Sequence, residues 1–196
     1  MSSAGHDLVA IGTSWGGLDT LRVLLPGLPA AFPAATVVVQ HRSPESHPDA
    51  LRELLGATTR LVVCDGGDKQ ELRPGHVYLA PPDYHAYVEG DQLTLSTDGP
   101  VAYSRPSIDV LFESAAESRR ERCVGIVLTG ANDDGAAGLA RIVELGGTAI
   151  VQDPGEAVRP EMPRAALAAV PDARVARVGE MASLLIELCA PAEARV

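Results

Sequence analysis

The chain opens on an apolar run, Asp7-Leu-Val-Ala-Ile11, which turns through Gly12-Thr-Ser-Trp-Gly-Gly17 into residues 18–25, where apolar side chains recur at helical spacing. A strand, a glycine turn and a helix are the expectation, with Pro26 and Pro29 ending the helix. Thr36-Val-Val-Val39 is β-branched without a polar break, as a strand covered on both faces should be. Residues 46–55 present Leu51, Leu54 and Leu55 on one side, with Ser46 to cap a short helix, and Leu61-Val-Val-Cys64 gives a third strand. The middle changes character. Residues 75–80, 86–89 and 92–96 are short and partly alternating, and Pro81-Pro82-Asp83 and Gly90-Asp91 between them are turn chemistry. They predict an antiparallel excursion at one edge of the sheet. Arg105-Pro-Ser107 opens a helix to about residue 120, with Ile108, Leu111, Phe112 and Ala115 as its buried stripe. Alternation then resumes, with strands at 123–128, 148–151 and 174–178 and helices at 136–145, 163–169 and 181–189. The fold class that follows is α/β: three layers around a mainly parallel, doubly wound sheet.

Length and charge narrow the picture. With 196 residues and no linker, the chain reads as a single domain over 1–196 with its core at about 7–188. No apolar stretch approaches a membrane span, and no basic region precedes an apolar one at the N-terminus. A cytoplasmic protein without membrane insertion is therefore expected. The net charge of −10, with no basic block, argues against a nucleic-acid partner, whose binding would draw on Lys and Arg. Cys64, Cys123 and Cys189 are widely spaced, and the first two adjoin apolar runs, so buried thiols are expected rather than a disulfide. No histidine pair has metal-site spacing with a third ligand; neither a metal nor a cofactor is expected.

In such a sheet, ligands meet the chain beyond the carboxyl ends of the strands, near a switch in strand order. Ser14 follows the first strand, His41 the second, and Asp133-Asp134 the strand ending at Leu128, so one rim carries a hydroxyl, an imidazole and carboxylates. Gly12-Thr-Ser-Trp-Gly16 fits the G-x-S-x-G pattern of a nucleophile elbow. A serine hydroxyl needs a base to become nucleophilic. A histidine can take that proton and return it to the leaving group, and a carboxylate can orient the imidazole. Ser14, His41 and Asp134 fill those roles, with backbone N–H groups around Trp15-Gly16-Gly17 available to an oxyanion. Each residue also has a plainer reading: Ser14 as a turn residue, His41 as a boundary histidine, Asp134 as a helix N-cap. Other histidines are less well placed. His6 lies at the opposite end of its strand, His47 beside a helix, His76 at a strand opening and His85 in a turn. The glycine turn reads G-x-x-x-G-G, not the dinucleotide G-x-G-x-x-G, and the order Ser…His…Asp differs from the Ser…Asp…His of α/β-hydrolases.

With that order on a short α/β chain, the sequence resembles the catalytic domain of the chemotaxis protein-glutamate methylesterases, the CheB family, from about Asp7 to Leu188. The landmarks are Ile11-Gly-Thr-Ser-Trp-Gly-Gly17, Val39-Gln-His41, Leu79-Ala-Pro-Pro-Asp-Tyr-His85, Arg105-Pro-Ser-Ile-Asp109, residues 128–138 and Met162-Pro163. The resemblance implies Ser14 as nucleophile, His41 as base and Asp134 as the orienting carboxylate, since Asp133 falls where the family usually has Asn. It implies hydrolysis of glutamate methyl esters on the cytoplasmic helices of chemoreceptors, releasing methanol, and in some members deamidation of receptor glutamines. No cofactor is implied. Trp15, Gly16 and Ala131 fall at the oxyanion site and cleft wall. Trp15 stands where some members have Thr or Ala, Ala131-Asn132 where Met-Gly is frequent, and Glu161 where Gly is usual. The N-terminal phosphoacceptor receiver domain of well-known members has no match in these residues, so phosphorylation control is not carried over. Two other readings stay open: a hydrolase of a different ester, and a receptor-binding module without turnover.

Overall fold

A computed structural model of the chain describes residues 5–42 and 49–191. Its strands are β1 (Leu8–Thr13), β2 (Ala35–Gln40), β3 (Val62–Asp65), β4 (Gln70–Glu71), β5 (His76–Leu79), β6 (His85–Glu89), β7 (Gln92–Ser96), β8 (Cys123–Val127), β9 (Thr148–Gln152) and β10 (Arg174–Ala176). Its helices are α1 (Gly17–Leu24), α2 (Ala50–Gly56), α3 (Ile108–Arg119), α4 (Ala136–Glu144), α5 (Glu161–Ala169) and α6 (Val178–Cys189). Seven strands form one parallel sheet in the order β10-β9-β8-β1-β2-β5-β3. The expected α/β class holds. The Ser46 cap and His47 lie outside the described residues.

Every residue of β1 is buried, and the strand serves two cores at once. Leu8 and Ala10 join the apolar cluster under α3, α4 and α5; Val9 and Ile11 join the one under α1 and α6. The three layers follow from this two-sided burial. Full burial of such side chains, at about 1.5–3 kcal/mol each, is what holds the helices to the sheet.

The middle of the chain departs from the expectation in two ways. His76–Leu79 belongs to the parallel sheet, between β2 and β3, and not to an antiparallel piece. Val77, Tyr78 and Leu79 are all buried, and Tyr78 tolerates this because its hydroxyl donates to Glu71 O and accepts Arg73 N–H, both at 2.9 Å. The antiparallel strands are likewise no extension of the main sheet. They form a separate sheet, β4-β7-β6, whose buried Ala86 and Val88 enter the core of α3.

β1 sits where the winding reverses. From it the chain moves outward through β2 in one direction, and it returns at β8 on the other flank. That is the switch point at which a doubly wound sheet opens a crevice at its carboxyl rim.

Candidate active site

Thr13 is the register partner of Gln40, so Ser14 and His41 leave adjacent parallel strands at one level. The His41 N–H donates to Thr13 O at 3.0 Å, and the Ser14 N–H donates to Thr129 O, beyond the end of β8, at 2.9 Å. The peptide that joins Thr13 to Ser14 is thereby stitched to the chain on either side of it.

The turn after Ser14 is tight. Gly17 N–H closes it onto Ser14 O at 3.0 Å, and Gln40 Nε2 donates to the same oxygen at 2.7 Å. Gly16, at φ +82° and ψ 0°, occupies the position of a type II turn that needs positive φ. A Cβ at Gly17 would land on the side chains of Gln40 and Thr13, so a second glycine is required there as well. Among the described residues, neither the Trp15 nor the Gly16 N–H finds an acceptor. Both stand ahead of the first turn of α1, where peptide dipoles favour negative charge. The Trp15 side chain is 69% exposed.

His41 meets one member of the aspartate pair. Its Nε2 lies 2.8 Å from Asp134 Oδ2, with the imidazole 15% exposed and the carboxylate fully covered. Asp133 is exposed to solvent, and its carbonyl accepts the Ala136 N–H. Ser107 Oγ (2.9 Å), Ile108 N–H (2.8 Å) and Asp109 N–H (2.9 Å) also donate to Asp134. Burial pushes the Asp134 carboxyl up, but the bonds from His41, Ile108 and Asp109 outweigh it and hold the group below the usual carboxylate range. Asp134 is thus an ionised group inside the protein, saturated with donors.

Several contributors carry no sequence signature of their own. Thr129 is wholly buried: its N–H donates to Gln152 Oε1 (2.8 Å), its carbonyl accepts Ser14 N–H, and its hydroxyl donates to Trp15 O (2.9 Å). His85 opens β6 and is completely buried, with Nδ1 accepting Ser107 N–H at 3.2 Å and Nε2 against Gly99 O at 3.1 Å. It supports the loop that carries Ser107 and does not reach the cleft. Polar residues at the ends of apolar strands were the one available hint. Ala131 is exposed on the loop beside Ser14, and a Cβ at the preceding Gly130 would lie 3.0 Å from Ser14 Cβ.

An open groove of about 460 Å³ adjoins the site, lined by His41, Arg42, Asp83, Tyr103, Arg105 and Pro106 among others. Among the described residues Cys64, Cys123 and Cys189 form no disulfide, and burial pushes the Cys64 and Cys123 thiols up, so both are expected to be inert. No helix among the described residues is long and apolar enough to cross a membrane.

The CheB methylesterase family model matches residues 9–185. A putative protein-glutamate methylesterase/protein-glutamine glutaminase of Leptospira interrogans is 40% identical over 184 residues, covering 93% of this chain and 95% of that protein. A protein-glutamate methylesterase/protein-glutamine glutaminase of Myxococcus xanthus is 41% identical over 83% of this chain but only 48% of its own length. The chain thus spans nearly all of one relative and about half of the other. In structure it is similar to the CheB methylesterase catalytic domain of Thermotoga maritima, with a TM-score of 0.88 and 32% identity, covering 93% of this chain and 98% of that one. On the family match and these relatives, the chain belongs to the CheB methylesterase family.

Proposed function

We propose that the chain is a single serine-hydrolase domain that removes methyl esters from glutamate side chains of chemoreceptor cytoplasmic helices, and so works in the cytoplasm. The observation that carries this reading is the His41–Asp134 contact at 2.8 Å, on the rim where the Thr13–Gln40 pairing sets Ser14 beside His41. Asp134 accepts the hydrogen bond from His41 Nε2–H and stays ionised, which leaves the Nδ1 lone pair of His41 for the Ser14 hydroxyl. Ser14 Oγ attacks the ester carbonyl carbon as its proton passes to His41. The oxyanion is held by the Trp15 and Gly16 N–H groups. Collapse breaks the bond to the methoxy oxygen, which leaves as methanol with the proton from His41. Water then attacks the glutamyl ester on Ser14, His41 takes its proton, and glutamate and free Ser14 are released. A glutamine side chain follows the same course with ammonia as the leaving group. Every step uses groups of the chain and water.

The test is methanol release from methylated receptor by wild type and Ser14→Ala. The expected loss is at least about 10³-fold in kcat, and adding His41→Ala should cost little more, because the members of such a set act as a unit. Equal release by both proteins sinks the mechanism. Binding of methylated receptor without any hydrolysis by wild type would sink the activity itself.

A further inference from the structure

The helices that meet behind His41 are capped reciprocally, and one of the two carboxylates takes no part in the steps above. Asp109 lies in the first turn of α3, and its Oδ1 accepts both Gly135 N–H (2.9 Å) and Gly138 N–H (2.7 Å) at the start of α4. Asp134 returns the grip, taking Ser107 Oγ–H and the N–H groups of Ile108 and Asp109 at the start of α3. The Gly135 N–H belongs to the peptide that joins Asp134 to Gly135, so Asp109 holds the backbone next to the carboxylate that meets His41. That peptide is otherwise delicate. Gly135 stands at φ +97°, and a Cβ there would come within 2.6 Å of Ile108 Cγ2.

We infer that Asp109 is a positioning residue of the reaction: by holding the N–H groups of Gly135 and Gly138 it fixes the Asp134–Gly135 peptide, and through it the direction in which Asp134 presents Oδ2 to His41. The inference rests on the Ser14–His41–Asp134 reading. Acceptor geometry, not charge, is the operative feature. Burial pushes the Asp109 carboxyl up in spite of the Gly138 and Gly135 bonds, and the nearby Asp134 charge adds to that, so the fold does not favour its negative charge. What the site uses is one oxygen placed against two N–H groups. A misplacement on the order of 1 Å near the reacting groups can cost about 100-fold in rate.

Two substitutions separate geometry from charge. Asp109→Asn keeps an oxygen for both N–H groups and removes the charge; Asp109→Glu keeps the charge and carries the oxygen one methylene further. On methylated receptor, Asp109→Asn should retain kcat within about threefold of wild type, and Asp109→Glu should lose about 10–100-fold with KM within about twofold. The downfield proton resonance of the His41–Asp134 hydrogen bond should persist in Asp109→Asn and shift or vanish in Asp109→Glu, which a purely structural role would not require. Should Asp109→Glu not fold, Asp109→Ala replaces it, with the same expected loss. Full kcat in the Glu or Ala protein with the resonance unmoved overturns the inference, and so does a tenfold loss in Asp109→Asn. A Ser14→Ala control in the same assay keeps the two readings apart. If that control stays active, the triad reading has failed; if it is dead while Asp109→Glu is not, only the Asp109 inference has.

Discussion

The Asp134 carboxylate takes two donors on each oxygen: His41 and Ile108 N–H on Oδ2, Ser107 Oγ and Asp109 N–H on Oδ1. An amide cannot match this arrangement, because its NH₂ end would face donors and leave them unpaired inside the protein. Asp134→Asn should therefore lower kcat by about 10⁴-fold through loss of imidazole orientation, and lower stability by roughly 1–3 kcal/mol at neutral pH. Exposed Asp133, changed to Asn, should leave both within about twofold and a few tenths of a kcal/mol. Methanol release and urea unfolding measure the two effects. A larger loss in Asp133→Asn would transfer the orienting role to Asp133. At this scale Ser14 and His41 could be read from the sequence because each follows an apolar strand directly. Ser107, Asp109 and His85 could not be given a place at the site. Their contacts span 22–29 residues and depend on where the starts of α3 and α4 meet, which no local pattern encodes.

Among the elements, the strand–turn–helix unit β1–α1 carries the strictest local demand. Its type II geometry needs positive φ at Gly16, and an alanine Cβ there would come within 2.9 Å of Val158 Cβ. Gly16→Ala is predicted to lower stability by about 1–3 kcal/mol, combining the left-handed strain of a non-glycine residue with crowding. It should also reduce kcat about tenfold or more by reorienting the Trp15 and Gly16 N–H groups. Thermal unfolding together with kcat on methylated receptor checks this; a variant with wild-type kcat would remove the turn from the oxyanion role. Much of the sheet was legible for another reason: continuous β-branched runs such as Thr36-Val-Val-Val39 in β2 have only one comfortable place, between two layers. β5 was misread because Tyr78 and His76 gave His76-Val-Tyr-Leu79 an apparent alternation. Tyr78 is in fact buried, with its hydroxyl satisfied locally by Glu71 and Arg73. Side-chain polarity is a poor guide to strand pairing when a polar tip finds its partner a few residues away.

Across the whole molecule, the two interlocked carboxylates pull stability in opposite directions with pH. Asp134 has its folded pKa below the unfolded value, which for an aspartate is about 3.9. The stability it contributes is present above that unfolded value and is lost as pH falls through its folded pKa. Asp109 has its folded pKa above the unfolded value. Its contribution is fully present below the unfolded value and is lost as pH rises through the folded pKa. Relative to wild type, Asp109→Asn should therefore gain stability as pH rises out of the carboxylate range, and that gain should shrink on acidification. Asp134→Asn should show the opposite trend, with a loss at neutral pH that diminishes as pH falls below the carboxylate range. Urea unfolding of the three proteins from pH 3 to pH 8 measures both differences. Parallel difference curves would mean that the carboxylates do not have the distinct environments described above. Opposed curves, together with retained kcat in Asp109→Asn, would assign the two their separate work: Asp134 supplies the buried charge for His41, and Asp109 supplies an acceptor that the fold keeps in place at some cost to its own stability.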